Sequence, residues 1–146
     1  MRVLIQRVSQ ASVHVEDALI GKIKHGLLVL VGIEPTDNTL TLTKMANKLL
    51  AYRVFNDTEG KMNLNVQEVN GGLLLVSQFT LAANTDKGLR PGFSSAAVPT
   101  LAEPLFNEFV MLLRARWSDI HTGRFGANMQ VSLINDGPVT FLLDIK

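Results

Sequence analysis

The sequence predicts an α+β fold, a mainly antiparallel β-sheet or barrel covered by two amphipathic helices, in one domain over residues 1–146. Apolar, β-branched runs of strand length crowd the first third of the chain, separated by short polar breaks that suit tight antiparallel connections. Helical spacing of apolar residues occurs in two stretches only. Strand-like runs return at the C-terminal end, so strands and helices do not alternate as they would in a parallel α/β fold.

In chain order, Arg2–Val8, Ala11–Val15, Leu19–Ile23 and Leu27–Ile33 read as strands, with turns at Asp17-Ala18 and at Lys24 to Gly26. Asp37 to Tyr52 reads as a helix: Leu42, Met45, Ala46, Leu49 and Leu50 recur every three or four residues, and Asp37 stands where a cap belongs. Tyr52–Phe55 and Leu73–Phe79 are further strand candidates. Thr100 to Trp117 carries a broader stripe of Leu101, Leu105, Phe106, Phe109, Leu112 and Leu113, with Pro99 and Thr100 at its start. Met129–Ile134 and Val139–Ile145 complete the set.

Composition narrows the chemistry. With 47% hydrophobic residues the chain can bury one respectable core, and 14 Lys+Arg against 13 Asp+Glu leave a formal net charge of +1. That balance excludes a highly basic nucleic-acid coat and an acidic disordered tail. Cysteine is absent, which removes disulfide scaffolds, thiolate metal sites and thiol nucleophiles together. The apolar stretch at Met1 to Val8 is too short for a signal-peptide core and is broken by Gln6 and Arg7. The expectation is a soluble, cytoplasmic protein with no membrane partner.

Most familiar motifs are missing: no phosphate loop, no Gly-x-Ser-x-Gly elbow, no zinc-binding His pair. His14, His25 and His121 lack ligand spacing, and neither a metal nor another cofactor is expected. Chemistry is sought instead where the apolar run Leu73 to Val76 ends in Ser77-Gln78-Phe79-Thr80, just before the long aperiodic segment Ala82 to Pro99. Hydroxyl, amide and backbone N–H groups there could stabilise the oxyanion of an attacked carbonyl; equally, they could simply close the strand's own turn. In a strand, Ser77 and Phe79 would face one side, Gln78 and Thr80 the other. Asn135-Asp136-Gly137-Pro138 reads either as an ordinary turn or as a fixed cis peptide that aims neighbouring carbonyls. Gly123 to Met129 offers Phe125 and the thioether of Met129 to a pocket wall or to the core. Lys87, Arg90 and the scattered Arg2, Arg7, Arg53 and Arg124 could meet phosphate or form a solvated face.

Taken together, these segments resemble the D-aminoacyl-tRNA deacylase family along almost the whole chain. The resemblance rests on Met1 to Val8, Gly26 to Gly32, Glu59-Gly60-Lys61-Met62-Asn63, Ser77-Gln78-Phe79-Thr80-Leu81, Lys87-Gly88, Arg90-Pro91, Gly123 to Ala127 and Asn135 to Thr140. It implies a homodimeric esterase that removes D-amino acids from the aminoacylated 3′ end of tRNA, with no DNA partner. By the same resemblance Gly137-Pro138 is cis and reaches the partner subunit's site, where its carbonyls bind the substrate's amino group and leave no room for an L side chain. Achiral glycine would then also be accepted. Backbone N–H groups of Phe79 and Thr80 would hold the oxyanion, Ser77 and Gln78 would shape the site, and Arg7 would fix the Gly-Pro element.

Two mechanisms follow from that resemblance: Thr80 acts as nucleophile, or the terminal ribose 2′-hydroxyl assists attack by water. The second is favoured, because a threonine hydroxyl needs an adjacent base and the sequence places none beside Thr80. The alternatives from other classes are a non-catalytic tRNA-end-binding module and an esterase for other D-aminoacyl esters.

Overall fold

The computed structural model describes residues 1–146. Its elements, in order, are β1 (Arg2–Val15), β2 (Ala18–Ile23), β3 (Gly26–Gly32), α1 (Thr39–Ala51), β4 (Phe55–Asn56), β5 (Met62–Leu64), β6 (Gly72–Ser77), a 3₁₀ turn (Phe79–Ala82), α2 (Pro99–Arg114), β7 (Ile120–Thr122) and β8 (Gln130–Asp144). No helix is long and apolar enough to cross a membrane.

β1 organises the sheet. Its first half pairs with β3 and its second half with β2 along one edge, while β8 lies antiparallel against the other edge for almost the whole length. The two predicted runs Arg2–Val8 and Ala11–Val15 are thus one strand, as are Met129–Ile134 and Val139–Ile145, because irregular pairing bends the strands without ending them. β3, β6 and β7 continue the sheet in parallel, so the sheet is mixed. β2 folds back over β6 and β7 until a Cβ added at Gly21 would sit 2.7 Å from the Thr122 carbonyl oxygen, which nearly closes a barrel.

This curl gives β3 and β6 two buried faces. Leu27, Val29, Val31, Leu73 and Leu75 join α1 and α2 in the larger core, whereas Leu28, Leu74 and Val76 meet Val8, Ala11, Val13 and Ile23 inside the barrel. Leu42, Met45, Ala46, Leu49 and Leu50 of α1 and Ala102, Phe106, Phe109, Val110 and Leu113 of α2 supply the buried helical stripes. Burying each large side chain contributes about 1.5–3 kcal/mol.

Several boundaries differ from those expected. Asn38, not Asp37, caps α1 by accepting from the N–H groups of Leu40 and Thr41. The Asp37 carboxylate is buried and accepts instead from the Met1 ammonium at 2.8 Å and the Glu34 N–H at 2.7 Å. The predicted strand Tyr52–Phe55 shrinks to Phe55–Asn56, since Tyr52 is the C-cap of α1. Its partner β5 lacks an alternating pattern and went unpredicted, as did the short β7. Asp57 folds the β4–β5 connection: its carboxylate accepts from Asn63 Nδ2 and from the N–H groups of Glu59 and Lys61. Those bonds, the one from Asn63 foremost, hold the carboxyl below its usual range.

Candidate active site

The predicted strand Leu73–Phe79 stops at Ser77, and the chain turns into the 3₁₀ turn with Gln78 as its first cap. Strict alternation of Ser77, Gln78, Phe79 and Thr80 therefore does not hold. Gln78 N–H still donates to the Val31 carbonyl at 2.7 Å, which ties the turn to β3. Phe79 and Thr80 open the turn, and their backbone N–H groups have no acceptor within the chain. Gln78 Nε2 donates to Thr80 Oγ1. No histidine, lysine or carboxylate is hydrogen-bonded to that hydroxyl, and an amide cannot take its proton.

Two supports of this turn carried no sequence signal. Arg2 Nη1 donates to the Leu81 carbonyl at 3.3 Å. At Gly32 a Cβ would lie 3.0 Å from Leu81 Cβ and 3.3 Å from the Gln78 carbonyl oxygen, so a side chain there would press the turn away from β3 by a few tenths of an ångström. Both depend on the spatial proximity of the first and third strands to the turn.

Beside the turn lies a cleft of about 580 Å³, whose walls include Ser77, Gln78, Phe79, Phe125 and Met129. It is predominantly apolar, with Ser77 and Gln78 among its few polar lining residues, the composition common to sites that bind small organic groups. Phe125 packs on Phe106 of α2, with ring centroids 6.0 Å apart. Met129 lies across Gly123, where a Cβ would come within 2.6 Å of its sulfur. Of the two readings open for Phe125 and Met129, each contributes to both wall and packing.

Gly137 and Pro138 lie elsewhere. β8 carries three extra residues where Gln6 pairs with Thr140 and Val8 with Asn135, so Asp136 to Val139 bulge outward opposite Arg7. The Gly137-Pro138 peptide is cis, both residues are exposed, and neither lines the cleft of their own chain. Arg7 is buried beneath them. Its Nε donates to the Asp136 carbonyl and its Nη1 to the Val54 carbonyl, each at 2.8 Å, and Asn135 Oδ1 accepts from Val139 N–H at 2.7 Å.

Arg7→Ala strips a charged donor from both carbonyls and leaves a void, so a loss of about 3 kcal/mol is expected. In a chain of this size that is a fall in Tm of about 10 °C by thermal denaturation. Arg7→Lys should recover only part of it, since one ammonium cannot reproduce the guanidinium fork.

A protein-family model described as D-Tyr-tRNA(Tyr) deacylase matches residues 4–144. The chain is similar to the D-aminoacyl-tRNA deacylase of Saccharophagus degradans, 66% identical over 143 residues that cover 98% of this chain and 99% of that protein. It is likewise 62% identical to that of Teredinibacter turnerae over 144 residues, 99% of each. A solved structure described as c-Myc DNA Unwinding Element Binding Protein superimposes with a TM-score of 0.96 at 40% identity, covering 100% of this chain and 99% of that one. Another, a probable eukaryotic D-amino acid tRNA deacylase, shares the fold with a TM-score of 0.86 at 19% identity, covering 99% and 98%.

Proposed function

The chain belongs to the D-Tyr-tRNA(Tyr) deacylase family and hydrolyses the ester of D-aminoacyl-tRNA, and on that premise we propose how its residues divide the work. The terminal adenosine occupies the cleft against Phe125 and Met129, with its ester beside Ser77 and Gln78. N–H groups of Phe79 and Thr80 receive the developing oxyanion, where preorganised donors are worth most. Water attacks the carbonyl carbon, the bond to the ribose oxygen breaks, and the neighbouring 2′-hydroxyl relays the water's proton to that departing oxygen. An ester is activated enough for positioning and oxyanion stabilisation to suffice.

The single observation that carries this reading is the separation of the cleft from an exposed Gly137-Pro138 bulge held by a buried Arg7. A rigid peptide aimed into solvent acquires a purpose when a second copy of the chain receives it in its cleft. Its carbonyls then take the substrate's ammonium and occlude the position of an L side chain, whereas glycine passes. β8 supports the homodimer: it runs 15 residues along an unpaired edge and exposes Leu133, Ile134, Phe141 and Leu142. Aminoacyl-tRNA places the work in the cytoplasm. Neither a membrane nor DNA is a proposed partner, since a net charge of +1 suits few phosphate contacts.

Matched D-, L- and glycyl-tRNA incubated with the protein should separate the possibilities by ester loss. The D ester should be cleared at least ~100-fold faster than the L ester, a gap of about 2.7 kcal/mol in transition-state energy. Glycine should side with D. Equal loss of D and L would contradict the chiral gate, and binding without loss would make the protein an end-binding module.

A further inference from the structure

An RNA whose last nucleotide lies in the cleft must cross the cleft's rim, and one segment of the rim is built outward. Asn84 and Gly92 exchange both backbone hydrogen bonds, at 2.8 and 2.9 Å, and so close a loop whose tip runs from Thr85 to Pro91. Ser95 Oγ donates to the Ala82 carbonyl at 2.5 Å and the Asp86 N–H to Asn84 Oδ1 at 2.9 Å, which anchors the base of the loop. Its tip touches little: Leu89 is fully exposed, and a Cβ at Gly88 would meet nothing within 4 Å.

Lys87 and Arg90 are both exposed on this tip, and neither has a carboxylate within 4 Å. The tip's only acid is Asp86. Next to the loop's base, Phe93 lines the cleft and lies 5.1 Å from the Phe79 ring, centroid to centroid, with both rings about half exposed. The loop is therefore continuous with the site and presents unpaired cations beside exposed aromatic faces, the combination that holds single-stranded nucleic acid.

We infer that the Thr85–Pro91 tip is a phosphate clamp for the unpaired nucleotides that precede the terminal adenosine, with Lys87 and Arg90 as its cations and the Phe79–Phe93 pair as the wall that turns the strand into the cleft. The inference rests on the deacylase reading and assigns to this loop the part of the tRNA outside the cleft. Phosphate contacts position a nucleic acid without reading its sequence, so the clamp serves every D-aminoacyl-tRNA alike.

The test compares wild type with the double variant Lys87→Ala, Arg90→Ala on two substrates, D-aminoacyl-tRNA and the D-aminoacyl ester of adenosine alone. On the tRNA, KM should rise about ten-fold or more with kcat unchanged, and the slope of log KM against log salt should flatten by about 1.4, or about 0.7 for each single-strand phosphate that the variant no longer neutralises. On the adenosine ester both constants should stay within about two-fold. Unchanged KM and salt slope on the tRNA would overturn the clamp, as would an equal loss on both substrates. Wild type that cleaves neither ester would instead overturn the deacylase reading on which it rests.

Discussion

Gly137→Ala should lower kcat/KM on D-aminoacyl-tRNA by about 100-fold and narrow the preference for D over L, while the chain remains folded. A Cβ at this position would sit 2.6 Å from Val139 Cγ2 and 2.8 Å from Val139 N, and φ at Gly137 is +152°, where an L side chain is strained. The backbone of the bulge must shift to admit it. Displacements on the order of 1 Å at a positioning group can cost about 100-fold in rate. A plain turn would behave otherwise: stability would fall by about 1–2 kcal/mol with the ratio of D to L rates untouched.

The same variant addresses the dimer. If Gly137-Pro138 serves the partner's cleft, a chain carrying Gly137→Ala still has a sound cleft, and one carrying Gln78→Ala still has a sound bulge. Co-refolding these two weak variants should give mixed dimers with one competent site and activity that neither parent shows. Mixtures no more active than their parents would confine both elements to one chain and contradict the arrangement.

The helices were legible because apolar residues follow the 3.6-residue period, cleanly from Leu42 to Leu50. In α2 the buried face is turned from the expected stripe, since Leu101 is exposed and Leu105 and Leu112 are half-buried while Ala102 and Val110 are buried beside Phe106, Phe109 and Leu113. Strand direction was harder. The uninterrupted runs Leu27 to Val31 and Leu73 to Val76 are what parallel strands buried on both faces look like, and β3 and β6 are such a pair. The expectation of a mainly antiparallel sheet holds, since β1 pairs antiparallel with β2, β3 and β8, but it did not include the parallel pairs that β6 makes with β3 and β7. β8 read as two strands because Asn135 to Pro138 has turn chemistry, yet β1 pairs with the chain on both sides of the bulge.

Within the site, Ser77 to Thr80 stood out as polar groups ending an apolar strand, but their alternation was misjudged, since nothing in Phe79-Thr80-Leu81-Ala82 announces a 3₁₀ turn. Gly32 and Arg2 were invisible as supports of that turn because their role is a matter of proximity across some fifty to eighty residues of chain, as the Arg2–Leu81 bond illustrates. Local chemistry marks Gly137-Pro138 as a turn or a fixed cis peptide and Arg7 as one of several scattered cations; the pairing of the two emerges only through resemblance to the family. The structure adds the physical link, a buried guanidinium gripping the carbonyls of Asp136 and Val54 on either side.

Near-neutral charge and the lack of cysteine accord with a small RNA footprint and a site made of backbone. The decisive comparison is single-turnover hydrolysis of D-aminoacyl-tRNA ending in 2′-deoxyadenosine by wild type, beside hydrolysis of the intact substrate by Thr80→Ala. Losing the ribose hydroxyl should cost about 1,000-fold, the scale of a positioned proton relay, while Thr80→Ala should stay within about ten-fold of wild type. Collapse of Thr80→Ala with the 2′-deoxy substrate still cleaved would contradict RNA assistance and make the Thr80 hydroxyl the nucleophile.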